Sequence, residues 1–174
     1  MILKNLKYAA FISLATASLG LSTAPLQAQS AMAATQSDAG VTLGTLTISG
    51  AFARATLPNA PVGGGFLTIT NNGKEADKLV SITSPASADV QIHEMKMEGE
   101  VMKMRELSDG VDIPAGGTVA LMPGGMHLMF MKPTKPFVVG QTVPLTLTFQ
   151  NAGSITLELP VAGIAATAPA HSAM

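Results

Sequence analysis

From Val41 to about Ala162 the chain is cut into short runs rich in Val, Ile, Leu, Thr and Phe, separated by Gly, Pro, Asn and Asp. The breaks recur roughly every ten residues, too often for helices and about right for strands joined by turns. Candidate strands are Leu43 to Ser49, Gly65 to Thr70, Lys78 to Thr83, Asp89 to Met97, Glu100 to Leu107, Thr118 to Met122, His127 to Met131, Val143 to Phe149 and Ile155 to Pro160. Asn59-Ala60-Pro61, Asn71-Asn72-Gly73, Pro114-Ala115-Gly116-Gly117, Pro123-Gly124-Gly125 and Asn151-Ala152-Gly153 lie between them, each with residues that tolerate positive φ or fix a turn. About nine strands without a helical stripe predict an all-β domain, an immunoglobulin-like sandwich or a Greek-key barrel. Gly63-Gly64-Gly65 precedes a strand, where a phosphate-binding loop would precede a helix, and reads as a turn.

The ends read differently. Lys4 and Lys7 precede an apolar run from about Tyr8 to Leu21, closed by small and polar residues, the pattern of a secretory signal peptide. Ser13, Thr16 and Ser18 interrupt a run already shorter than the ~20 apolar residues of a membrane span, so stable insertion is disfavoured. Residues 1–33 are therefore read as a signal peptide, with cleavage after Ala28 or Ala33. Residues 41–162 form the expected single domain, and 163–174 an Ala/Pro tail ending in His171 and Met174.

Formal charge is −1 for the whole chain, and losing Lys4 and Lys7 leaves 8 basic against 11 acidic residues, or −3. That balance, with no basic run, argues against nucleic acid as a partner. Cysteine is absent, which excludes disulfides, thiolate zinc sites, iron–sulfur clusters and thiolate copper centres. It also removes one class of nucleophile, and the scattered serines suggest no triad, so no enzymatic constellation stands out. Sulfur chemistry falls to methionine, and eight of the 11 Met lie between Met95 and Met131.

Within that stretch, residues 93–105 alternate strictly and predict a hairpin. A two-residue turn at Glu98-Gly99 pairs His93 with Met104, Met95 with Met102 and Met97 with Glu100. His93, Met95, Met97, Met102 and Met104 then share one face, and Glu94, Lys96, Lys103 and Arg105 share the other. In the run 126–131, His127, Met129 and Met131 share a face opposite Leu128 and Phe130. Inward-facing methionines are ordinary core filler, and a single His among apolar neighbours is usually a packed one. Here, however, two of the three histidines each begin an alternating His-x-Met in the same Met-rich stretch. Two imidazoles converging with neutral, soft thioethers suit Cu(I), whereas zinc favours thiolate, imidazole or carboxylate and calcium favours oxygen.

This pattern resembles the bacterial periplasmic copper chaperones of the PCu(A)C type, whose signature is a His, ten residues, a Met, some twenty residues and His-x-Met. Here the matching residues are His93, Met104, His127 and Met129. The surrounding His93-Glu94-Met95, Met102-Lys103-Met104-Arg105, Ile113 to Gly117, Pro123 to Met129 and Pro144 to Phe149 are also similar to the family. The resemblance implies a cupredoxin-like β-sandwich that binds one Cu(I) through these two His and two Met. It further implies delivery to the binuclear copper centre of cytochrome c oxidase subunit II, or to thiol-containing copper assembly proteins. Met95, Met97, Met102 and Met131 are at most neighbouring or alternative ligands, and core packing is the favoured reading for each. His171 in the tail could add a weak Cu(II) site, with or without Met174, although an idle tail is favoured. Imidazole binds metal when neutral, so binding should weaken below the ordinary His pKa of about 6.5. Two other functions fit the same sequence: a copper storage or resistance protein without a dedicated acceptor, and a metal-free exported structural domain.

Overall fold

The structure is a computed structural model and describes residues 40–169; the expected signal peptide, His171 and Met174 lie outside the described residues. Eleven strands follow in chain order: β1 (Val41–Leu43), β2 (Leu46–Arg54), β3 (Val62–Asn71), β4 (Asp77–Thr83), β5 (Ser87–Glu98), β6 (Val101–Glu106), β7 (Val111–Ile113), β8 (Thr118–Leu121), β9 (His127–Pro133), β10 (Thr142–Phe149) and β11 (Gly153–Ala162). No helix occurs among the described residues. The all-β expectation holds, with the three-residue strands β1 and β7 added to the nine read from the sequence.

One continuous strand order, β6-β5-β9-β3-β2-β11-β10-β4-β7, wraps into two layers, with β1 on β2 and β8 on β3. The layers meet where the end of β11 runs parallel to the end of β2, Val161 against Ala53; every other pairing is antiparallel. This is a cupredoxin-like β-sandwich. Alternation supplies its core: Leu145, Leu147, Leu157 and Leu159 from one layer face Ile48, Leu67, Ile69, Leu128 and Phe130 from the other, all essentially excluded from water. The Asp77 carboxylate, buried at the start of β4, accepts from the backbone N–H groups of Asn151 and Ala152, both at 2.9 Å, and anchors the β10–β11 turn.

Two local departures from regular alternation shape the outer face of the β5–β9–β3–β2 layer. In β2 the register shifts between Ser49 and Phe52, around Gly50 at φ 59°, so two residues oppose one. The bulge keeps Ala51 and Ala53 in the core and turns Phe52 outward, where it meets Phe66 of β3 at 4.9 Å between ring centroids. Arg54 extends this patch, its guanidinium 5.0 Å over the Phe66 ring and its Nε donating to the Ala166 carbonyl at 2.8 Å. The second departure is Gly63-Gly64-Gly65, which lies inside β3 rather than forming a turn. A Cβ at Gly63 would stand 2.8 Å from the Phe137 ring, and one at Gly65 2.7 Å from Phe130. Phe130 and Phe137 pack edge to face at 5.2 Å, so the glycines leave room for an aromatic pair distant in sequence.

Candidate metal centre

β5 and β9 lie side by side, and their register places His93 directly opposite His127. Val90 and Ile92 of β5, and Leu128 and Phe130 of β9, point into the core. Alternation therefore sends Gln91, His93, His127, Met129 and Met131 to the outer face. The imidazole centroids are 6.0 Å apart, with the rings tilted by 43°. His127 is the first residue of β9 because the Pro123-Gly124-Gly125 turn ends there. That turn is closed by the Met122 N–H donating to the Met126 carbonyl at 2.7 Å, and Gly124 takes φ 87°.

Each ring is held in a defined tautomer. The Gly125 carbonyl can only accept, so His127 donates to it through Nδ1 at 3.0 Å and keeps a lone pair on Nε2. For His93 the orientation is set by a chain along one face of β5. Asp89 Oδ2 accepts from Gln91 Nε2 at 3.1 Å, which turns Gln91 Oε1 toward His93 Nε2 at 2.9 Å. His93 therefore donates through Nε2 and keeps a lone pair on Nδ1, which is buried and has no hydrogen-bond partner among the described residues. A buried, unpartnered imidazole nitrogen costs free energy unless something accepts its lone pair, and a metal ion does so. Burial, first, and then the neighbouring His127 hold the His93 pKa below 6.5, against a smaller opposing effect of Glu106. The ring is accordingly kept neutral, the state that ligates.

The thioethers surround this pair unevenly. Met129 follows His127 on the same face of β9, half-buried and opposite Gly64, whose missing side chain leaves it open on that side. On β6 the hairpin register differs from the sequence reading by one step. Gly99-Glu100, not Glu98-Gly99, forms the turn, with Gly99 at φ 67° in the first central position. Such a glycine suits a type II′ turn, whereas the sequence reading placed glycine second in a type I′ turn. His93 consequently faces Glu106, Met95 faces Met104, and Met97 faces Met102. The shift preserves which side chains share a face, and it moves Met104 from directly opposite His93 to the diagonal position. All four predicted ligands thus lie on one face of three adjacent strands, with the two His in direct register and the two Met at diagonals.

A second correction concerns Met97 and Met102, for which core packing was the favoured reading: their face is the outer one, and β6 is exposed along its whole length. Met97, Met102 and Met104 are 53%, 56% and 48% exposed. Among the described residues no group of three or more His, Asp or Glu could hold a metal; beside the two imidazoles, this face carries the thioethers of Met95, Met104 and Met129 together with the Glu106 carboxylate. A shallow cleft of about 360 Å³ adjoins the pair, running from His127 and Met129 over Gly63 and Gly64 to Phe66 and Ile164. The sequence reading found neither this cleft nor the positioning role of Gln91. The spacing Asp89-x-Gln91-x-His93 was the available signal for the latter.

The sandwich is the fold of solved PCuAC domains. The copper-bound PCuAC domain from PmoF2 superposes with a TM-score of 0.60 at 24% identity, over 71% of this chain and 97% of that one. The solution structure of CuI-DR1885 from Deinococcus radiodurans matches with a TM-score of 0.54 at 25% identity, over 70% of this chain and 79% of that one. By sequence, the chain belongs to the family described as "Putative lipoprotein LpqE-like", matched over residues 46–161. One relative, "Putative lipoprotein Lxx21020" of Leifsonia xyli subsp. xyli, is 34% identical over 96 residues, 55% of this chain. The chain spans 58% of that relative's length.

Proposed function

We propose that this protein is an exported copper chaperone, not an enzyme, that binds one Cu(I) through His93, Met104, His127 and Met129. The observation that carries the reading is the His93–His127 pair, with tautomers fixed by Gln91 and Gly125 and with His93 Nδ1 buried and unpartnered. Two neutral imidazoles and two thioethers favour the soft monovalent ion over zinc or calcium. The copper-bound state of the PmoF2 domain and of DR1885 supports the same cargo. Export is supported by the lipoprotein description of the family, and the periplasm is the compartment we assign.

Release follows from exposure. Met104 is half in water and Met129 borders an open cleft, so an incoming ligand can displace the thioethers singly while the imidazoles still hold the ion. We assign as acceptor the binuclear copper centre of cytochrome c oxidase subunit II or a thiol-containing assembly protein. X-ray absorption at the copper edge of the one-to-one complex should show both nitrogen and sulfur scatterers; a sulfur-free first shell would overturn the ligand set. Deleting the gene should lower oxidase activity in copper-limited medium, with rescue by added copper. Copper sensitivity with unchanged oxidase would identify a storage or resistance protein instead.

A further inference from the structure

The four-ligand centre leaves most of the methionine cluster unexplained. Met97 and Met102 stand directly opposite each other on the β5–β6 hairpin, one row beyond the Met95–Met104 pair, and each is more than half exposed. Among the described residues no core packs them: the hairpin extends past the sandwich core, and every residue of β6 is open to solvent. Its other face is an ordinary solvated surface, with Arg105 to Glu94 at 2.8 Å and Lys103 to Glu98 at 2.6 Å. The hairpin is therefore amphipathic without a core to bury its apolar side. That side consists of thioethers where leucine or valine would supply the same strand stability.

We propose that Met97 and Met102 form a second, weaker site for a soft monovalent cation, Cu(I) or Ag(I). Directly opposed residues hold their Cβ atoms roughly 4.5–5.5 Å apart, and two flexible thioether arms can close on one ion across that gap. A neutral two-sulfur set attracts ions that accept low coordination number and excludes those that require oxygen. From this pair, Met95 and Met104 form the next row toward His93, making a ladder from the hairpin tip to the histidine pair. Use of the ladder as a loading route rests on the reading of the His93–His127 centre as the copper site; the Met97–Met102 site itself does not.

The test is an Ag(I) titration, with silver nitrate as the probe, of protein labelled with 13C at the methionine methyl groups. In the wild type, the first equivalent should move the Met129 resonance. Further Ag(I) should move Met97 and Met102 together, at concentrations at least tenfold below those that move Met122. Met122 is equally exposed at 55% but lies outside any strand pair, and it reports indiscriminate binding. The Met97→Leu/Met102→Leu variant should keep the first event and lose the second. The His93→Ala/His127→Ala variant should keep the second. Methyl groups of Met97 and Met102 that stay unmoved, or respond no earlier than Met122, would overturn the proposal. If they respond while the first equivalent leaves Met129 unmoved, the hairpin site stands and the histidine-centre reading falls.

Discussion

His93, a ligand in the centre we propose, is held in place by its own neighbours. The Asp89–Gln91–His93 chain fixes which nitrogen carries the proton, at the cost of leaving Nδ1 buried and unpartnered. Replacing Gln91 with Leu removes the acceptor for Nε2–H and frees the ring to rotate and change tautomer. Such outer partners are typically worth about 10–100-fold in metal affinity, so Gln91→Leu should weaken Cu(I) binding by about tenfold with the fold intact. A chelator competition beside a circular dichroism spectrum checks both halves of that expectation. Proton linkage makes a second prediction. Because folding lowers the His93 pKa below 6.5, the folded chain binds fewer protons than the unfolded chain as pH drops below that value. The stability that neutral His93 permits is complete above pH 6.5 and is lost as pH falls through the lowered folded value. Thermal midpoints of the metal-free protein between pH 7.5 and 5 should therefore decline more in the wild type than in His93→Gln.

At the scale of elements, strict alternation made much of the site readable. It groups His93 with the hairpin methionines and His127 with Met129, and the observed strands keep those groupings. Alternation does not say which face meets the second layer. Leu128 and Phe130 are as apolar as Met129 and Met131 on the other face of β9, and only packing against the other layer assigns them to the core. Nor did it locate the turn, since Gly99 serves either central position of a two-residue loop. The glycine run was misread because its reason lies far along the chain, in Phe130 and Phe137. That packing is testable. Gly65→Ala drives a methyl into the Phe130 ring and should cost about 1–3 kcal/mol in urea denaturation. Gly64→Ala, whose nearest contact is the edge of Phe66 at 3.3 Å, should cost about 0.5 kcal/mol or less.

For the whole molecule, the division of labour runs across one sheet. Its inner face, with the second layer, forms a leucine-rich core that makes the strand positions rigid, and its outer face carries the copper centre we propose. The centre of that face is β5–β9, where the His pair is braced by neighbours on both sides. Its margins are the exposed hairpin and the open cleft, where the ligand exchange we propose would leave the core undisturbed. Fold class was legible from turn spacing, because strands of this length announce themselves by their breaks. The three-residue β1 and β7 were not, since they are too short to show a period. The cleft was also hidden, being assembled from the end of β2 and the loop after it, β3, β9 and the segment after β11. The most direct test is an anaerobic Cu(I) titration against a competing chelator, run on the wild type and on His93→Ala, Met104→Ala, His127→Ala and Met129→Ala. One tight equivalent is expected, weakened in every variant and most in the two histidine variants. Absence of tight binding, or an affinity indifferent to all four substitutions, would contradict a copper centre on this face.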